Sequence, residues 1–120
     1  MIRIRDEQQR ALAQGIEQLW KKEYADRLRL DFPQQTASIL PEEMGKLIDN
    51  GWTNAMELEI REREDIYRFL KLQFLPKKLL ESDFVQSVLI RVLNNMNLSG
   101  TKRLDFIEEQ IIKPRMPDGV

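Results

Sequence analysis

The 120-residue sequence contains neither cysteine nor histidine. Without cysteine there is no disulfide, no thiolate metal ligand and no thiol nucleophile. Without histidine the commonest general base, metal ligand and near-neutral pH switch is gone. Catalysis, if any, would rest on carboxylates, lysine, tyrosine or serine, so the chain reads as a non-enzyme. Charge of one sign is also lacking. Nineteen basic and twenty acidic side chains leave a net charge of -1. A nucleic-acid binder normally carries a basic excess or a basic face, so nucleic acid is not an expected partner. No apolar run approaches the roughly 20 residues of a membrane span. The opening MIRIRDEQQR lacks the apolar centre of a signal peptide. These features predict a cytoplasmic protein without membrane contact. Gly15, Gly45 and Gly51 belong to no phosphate-binding loop, and Ser38, Ser82, Ser87 and Ser99 have no nucleophile-elbow context. No cofactor or metal is expected.

What is present is helical patterning. With 42% hydrophobic and 32% charged residues, the length suits one domain with a modest core. The expected fold is all-α: a single domain over 1–120, with about five helices in a compact bundle. The organising stretch is Ile60 to Phe74. Ile66, Phe69, Leu70 and Gln73 fall at i, i+3, i+4 and i+7, with Tyr67 and Phe74 flanking. Before it, residues 1–5 read as an extended lead-in, with Asp6 as N-cap and Gln9 completing a capping box. The first helix then runs to about Leu30, with Leu12, Ile16, Leu19, Trp20, Tyr24 and Leu28 as its inner stripe. Gly15 inside it leaves a gap through which another helix can approach closely. Phe32-Pro33 stops this helix, and 34–40 reads as a linker.

The second helix spans about Glu42 to Glu57. Pro41 pre-sets its first turn, and Glu42 and Glu43 suit its positive end. Asn50-Gly51 also fits a turn, but the apolar register stays in phase across it and favours a continuous helix. Leu58 to Ile60 is a break. Leu75-Pro76 ends helix three, and Lys77 to Glu81 is a connector. Helix four, capped by Ser82 or Asp83, runs to about Asn95. Phe84, Val85, Val88, Leu89, Ile90, Val92, Leu93 and Met96 cover most of its circumference, which marks it as central or as part of an interface. Helix five, capped by Ser99 or Thr101, carries Leu104, Ile107 and Ile111 inward and runs to about Lys113. Residues 114–120 read as a frayed tail.

Glu57, Glu59, Glu62, Glu64 and Asp65 interleave with Arg61, Arg63 and Arg68, the pattern of a solvated, salt-bridged helix start. Asp83 and Asp105 look like helix-end or surface residues. Arg27, Arg29, Lys77, Lys78, Lys102 and Arg103 are scattered among acids, leaving room only for a small phosphate-facing patch. Trp20 and Trp52 suit core packing or, alternatively, a partner anchor. Surplus apolar surface on helix four would mark a protein-binding patch. The candidate protein-binding residues are therefore Trp52, Phe84, Val88, Ile90 and Trp20.

Several of these segments recur together. Ile4-Arg5-Asp6-Glu7-Gln8 opens the pattern, followed by Leu28-Arg29, Phe32-Pro33, Leu47-Ile48 and Gly51. Ile60, Glu64-Asp65, Tyr67 or Phe69, and Leu72 through Phe74 continue it, and Leu98-Ser99 with Arg103-Leu104 ends it. In this the chain resembles small bacterial proteins encoded beside type VI secretion effectors, PAAR-type spike-tip proteins and effector chaperones. It departs from them after Phe74, where Leu75-Pro76-Lys77-Lys78 stands. The resemblance implies an adaptor or co-chaperone that holds an effector, its loading chaperone or a spike-tip protein. An immunity protein that neutralises a cognate toxin is the alternative, and self-association is open to either.

Overall fold

The computed structural model describes residues 2–115, and in the first helix it describes side chains from Leu12 onward. Within that range the chain is all-α with no strand, as the periodicity requires. Seven α-helices are present: α1 (Ile2–Asp31), α2 (Pro33–Thr36), α3 (Pro41–Glu57), α4 (Arg63–Lys71), α5 (Lys77–Leu80), α6 (Asp83–Leu93) and α7 (Gly100–Phe106). A 3-10 turn, Leu72–Phe74, follows α4, and α7 runs on through a π-helical stretch, Ile107–Ile112, into a second 3-10 turn, Lys113–Arg115. The chain divides into two compact units, one reaching to Asp49 and one starting at Asn50, and α3 runs through the division.

Five expected helices become seven because α2 and α5 occupy the stretches read as a linker and a connector. Each is four residues long and each is started by a proline, Pro33 at the first position of α2 and Pro76 just before α5. So short a helix has no room for an apolar stripe, so periodicity is silent there. At the start of the chain, α1 reaches back to Ile2. Residues 2–5 are therefore helical rather than extended, and Asp6 lies inside the helix rather than capping it. The expected frayed tail lies outside the described residues from position 116 onward.

In the first unit, Tyr24, Leu28, Met44 and Ile48 are buried. Arg29 closes the α1–α2 corner: its Nη1 donates to Thr36 O at 3.0 Å and its Nη2 to Ile39 O at 2.9 Å. Thr36, also buried, returns its hydroxyl to Phe32 O at 2.7 Å. Arg29 is thus a corner clamp and not part of a phosphate-facing patch. Glu43 reaches back to the Leu40 N–H at 3.0 Å, half of a capping box at the start of α3.

In the second unit, Ala55, Ile60, Ile66, Tyr67, Leu70, Leu104 and Ile107 are buried, and a further cluster gathers Leu79, Val85 and Ile111 against Leu75, Val88 and Leu89. Ser82 caps α6 by accepting from Val85 N–H at 3.3 Å, and Ser99 caps α7 by accepting from Lys102 N–H at 3.1 Å. Serine is preferred there because its hydroxyl satisfies an N–H that has no partner within the helix.

The end of α3 is a Schellman motif. Ile60 N–H reaches Ala55 O at 2.8 Å and Glu59 N–H reaches Met56 O at 3.0 Å. Ile60 and Ala55, both fully buried, supply the accompanying apolar contact. The motif needs a left-handed residue, and Glu59 adopts it with φ 58°. Glutamate has a Cβ that resists this conformation, whereas glycine does not. Glu59→Gly is expected to raise stability by about 0.5–1 kcal/mol. Thermal unfolding would show this as an upward shift in Tm, and an unchanged or lower Tm would mean that the Glu59 side chain makes a compensating contact.

Candidate functional site

The sequence pointed to helix four, now α6, as the interaction surface. Its residues Val85, Val88, Leu89, Val92 and Leu93 are buried or half-buried. Val88 packs onto the Leu79–Val85–Ile111 cluster and is not a free anchor. Phe84 and Ile90 are different, at 58% and 63% exposed. At 3.6 residues per turn they stand about 120° apart round the helix, on opposite flanks of the packed face. They do not form one patch. The Phe84 ring lies under the Arg115 guanidinium, 5.0 Å from its centroid. Beyond α6, Met96 and Leu98 are also exposed, as is Phe106 on α7. Trp20 and Trp52 are both half-buried, the first in the first unit and the second in the second.

Met96 and Leu98 border an open groove of about 450 Å³ whose other walls include Glu59, Arg61, Glu62 and Thr101. Arg103 and Asp65 also line it, and each belongs to an arginine network that periodicity does not disclose. In the first, Arg103 is 1% exposed and has no carboxylate partner. Instead its Nη2 donates to Leu58 O at 2.7 Å, its Nη1 to Leu93 O at 2.5 Å, and its Nε to Leu98 O and Ser99 O at 3.1 and 3.4 Å. Leu58 follows the last residue of α3 and Leu93 is the last residue of α6. One guanidinium thus caps the carbonyl ends of two helices, where the macrodipoles are negative and the last carbonyls lack intrahelical partners. Arg103 is a bolt and not one of the scattered surface bases. The sequence did carry a signal, since it sits four residues before Ile107, on the inward side of its helix.

In the second network Arg68 gathers three carboxylates: Asp65 at 3.0 Å, Asp105 at 2.6 Å and Glu108 at 2.9 Å. The Thr101 hydroxyl also donates to Asp65. Asp65 is buried, so the collar Arg61–Asp65 is not wholly a solvated helix start, and Asp105 lies on the surface as expected but is paired with Arg68 and not isolated. The hydrogen bond to Glu108 chiefly raises the Arg68 pKa above its ordinary value, against burial, which lowers it, and with help from Asp105 and Asp65. The guanidinium therefore stays charged at any ordinary pH, and its half-exposed pairs are the part of the network that salt screens. Arg68→Met leaves buried Asp65 facing Thr101 alone, and the expected loss is about 1–2 kcal/mol, smaller in 1 M salt where the half-exposed pairs are screened. Urea unfolding at two salt concentrations checks it; equal losses at both would show that only packing was removed.

Among the described residues, no group of three acidic side chains could hold a metal ion, and no helix is long and apolar enough to cross a membrane. Chemically, the arrangement offers exposed apolar side chains on a scaffold tied by buried arginines. No family model, no curated protein and no solved structure matches this chain.

Proposed function

We propose that the chain is a non-enzymatic, protein-binding accessory factor: an adaptor or co-chaperone for a type VI secretion effector, its loading chaperone or a spike-tip protein. The observation that carries the binding role is the set of large apolar side chains standing in water on α6 and just after it, namely Phe84, Ile90, Met96 and Leu98. Phe84 and Ile90 stand apart as separate anchor points, while Met96 and Leu98 adjoin on one groove wall, each available for a partner to bury. The secretion link is supported by the resemblance in the sequence, above all the Phe32-Pro33, Glu64-Asp65 and Leu98-Ser99 segments.

The test is purification of the tagged chain from its native host with identification of the proteins that accompany it, repeated with Phe84→Asp and Ile90→Asp. Recovery of a loading chaperone or spike-tip protein, lost in one of the variants, is the expected result. Recovery of one toxin alone, with relief of its toxicity on co-expression, would replace the adaptor role with immunity. Equal recovery by wild type and both variants would remove α6 from the binding surface.

A further inference from the structure

Two apolar surfaces lie apart from Phe84, Ile90, Met96 and Leu98. On α1, Leu12, Ile16 and Leu19 were expected to point inward, yet they are 68%, 42% and 55% exposed, a bare stripe that names no occupant. The other is a groove in the second unit, and its walls do name one. It encloses about 280 Å³ between α3, α4 with its 3-10 turn, α5 and α6. Its floor is Phe69, Leu72, Leu80, Leu89 and Leu93, each half-buried, so each keeps part of its apolar surface in water. None of the residues that line it is charged, in a chain of which 32% are. The close helix approach expected at Gly15 occurs here, at Gly51. A Cβ at Gly15 meets nothing within 4 Å, whereas one at Gly51 would meet Leu70 of α4.

The rim carries three carboxamides, Asn50, Asn54 and Gln73, all exposed. Among the described residues none of their side chains has a hydrogen-bond partner. A Gly51 Cβ would lie 3.4 Å from Gln73 Nε2, so the absence of a side chain at Gly51 lets the Gln73 amide come close against α3. Asn50 and Asn54 are four residues apart on one face of α3, about 6 Å along its axis at 1.5 Å per residue. Peptide groups on one edge of an extended chain recur every second residue, about 6.6 Å. A carboxamide offers an acceptor oxygen and two donor hydrogens, so it can pair with both the C=O and the N–H of a main chain. The two asparagines therefore match the repeat of an extended segment, and Gln73 adds a third carboxamide from the 3-10 turn. A helix fits less well, because it satisfies its own N–H and C=O groups and would offer the carboxamides only side chains. A charged segment finds no counter-charge among the lining residues. The groove is open and falls below the roughly 300–1,000 Å³ of small-molecule pockets.

We propose that this groove binds a protein partner through an extended, uncharged segment that is apolar at every second residue. Alternate side chains enter the leucine-lined floor, while the main-chain edge pairs with Asn50 and Asn54. So short a contact is weak, in the micromolar range or above. All of its walls belong to the second unit. The site is separate from Phe84, Ile90, Met96 and Leu98, and it stands or falls independently of the secretion link.

The test is panning of a displayed library of unstructured dodecapeptides on the full chain, then synthesis of the selected peptides and titration by fluorescence anisotropy. The selected peptides are expected to alternate apolar with neutral polar residues. Asn50→Ala and Asn54→Ala should each weaken their binding by roughly tenfold, the loss of two hydrogen bonds. Circular dichroism should not change, because both positions are exposed and alanine is the better helix former. N-methylation of the peptide reads the main-chain role directly, by deleting one N–H at a time. Methyl groups on the edge that faces the asparagines, at alternate residues, should weaken binding several-fold, and those at the residues between should change it little. Failure to select any peptide, or peptides that bind both alanine variants as tightly as wild type, would overturn the proposal. So would apolar residues spaced at i, i+3 and i+4 with binding lost on insertion of a central proline, which would place a helix in the groove. N-methylation felt equally at every position, or at none, would exclude an extended main chain as the ligand.

Discussion

Replacing Arg103 with methionine is expected to lower the unfolding free energy of the second unit by about 3–5 kcal/mol. Methionine keeps much of the volume and the flexible stem but none of the donors. The carbonyls of Leu58, Leu93 and Leu98 would then face an apolar side chain, while Ser99 O keeps the backbone N–H of residue 103. Each buried acceptor left without a donor costs about 1–3 kcal/mol, reduced where water can enter from the neighbouring groove. A small domain is stable by about 5–15 kcal/mol in all, so the variant should sit near the edge of folding at 37 °C. Arg103→Lys is not a rescue. An ammonium carries three donors on one nitrogen and cannot span carbonyls that belong to two helix ends and a loop. It should recover less than half the loss. Urea unfolding followed by circular dichroism measures both, and a loss under about 1 kcal/mol for Arg103→Met would show that the buried charge costs nearly as much as its hydrogen bonds return.

The second large effect is expected at Gly51. This residue lies in the interior of α3, where alanine would ordinarily add about 1 kcal/mol of helix propensity. A Cβ at this position would stand 2.3 Å from Leu70 Cδ2, and Leu70 is fully buried, so its methyl cannot simply swing into water. Overpacking of this kind costs typically 1–3 kcal/mol. Gly51→Ala should therefore be net destabilising despite its propensity gain, and Gly51→Leu should lose about 3 kcal/mol or more. The diagnostic is a double-mutant cycle with Leu70→Ala. If the clash is the cause, Leu70→Ala in the Gly51→Leu background costs far less than in wild type, or even restores stability. Additive losses would place the damage elsewhere on the helix. Gly15 provides the control within the same chain, since alanine there meets nothing.

Elements with a full apolar stripe were legible in the sequence. Helix α3 appears from Pro41 to Glu57, continuous through Asn50-Gly51, and α6 begins at Asp83 after its Ser82 cap. The organising stretch holds too: Ile66, Tyr67 and Leu70 are buried, while Phe69 is half-buried and Gln73 exposed. In each case periodicity, a cap and a proline or a charged first turn agree, and agreement among local signals is what fixes an element. Legibility failed in two physically distinct ways. Periodicity shows that a face is apolar but not what lies against it, so the stripe Leu12–Ile16–Leu19 looked like core. Residue type also misled. By residue type Arg103 and Arg29 read as surface bases and Asp65 as part of a solvated helix start, because charged residues are seldom buried without a partner. Their partners are carbonyls and side chains from distant positions, as far away as Leu58 from Arg103, which no local pattern contains. The α6 surface was half legible: its surplus of apolar residues was plain, but their division between a packed face and the separated Phe84 and Ile90 depends on tertiary contacts.

The bolt at Arg103 also sets a direction in time. A ribosome delivers α3 and α6 before it delivers the arginine that caps them both. Until residue 103 has emerged, the carbonyls of Leu58 and Leu93 have only water to satisfy them, and the ends of those helices stay wet. The second unit therefore gains this tie between its helix ends only late in synthesis. A nascent chain stalled short of Arg103 would present its apolar helices open, in the form that chaperones and proteases recognise.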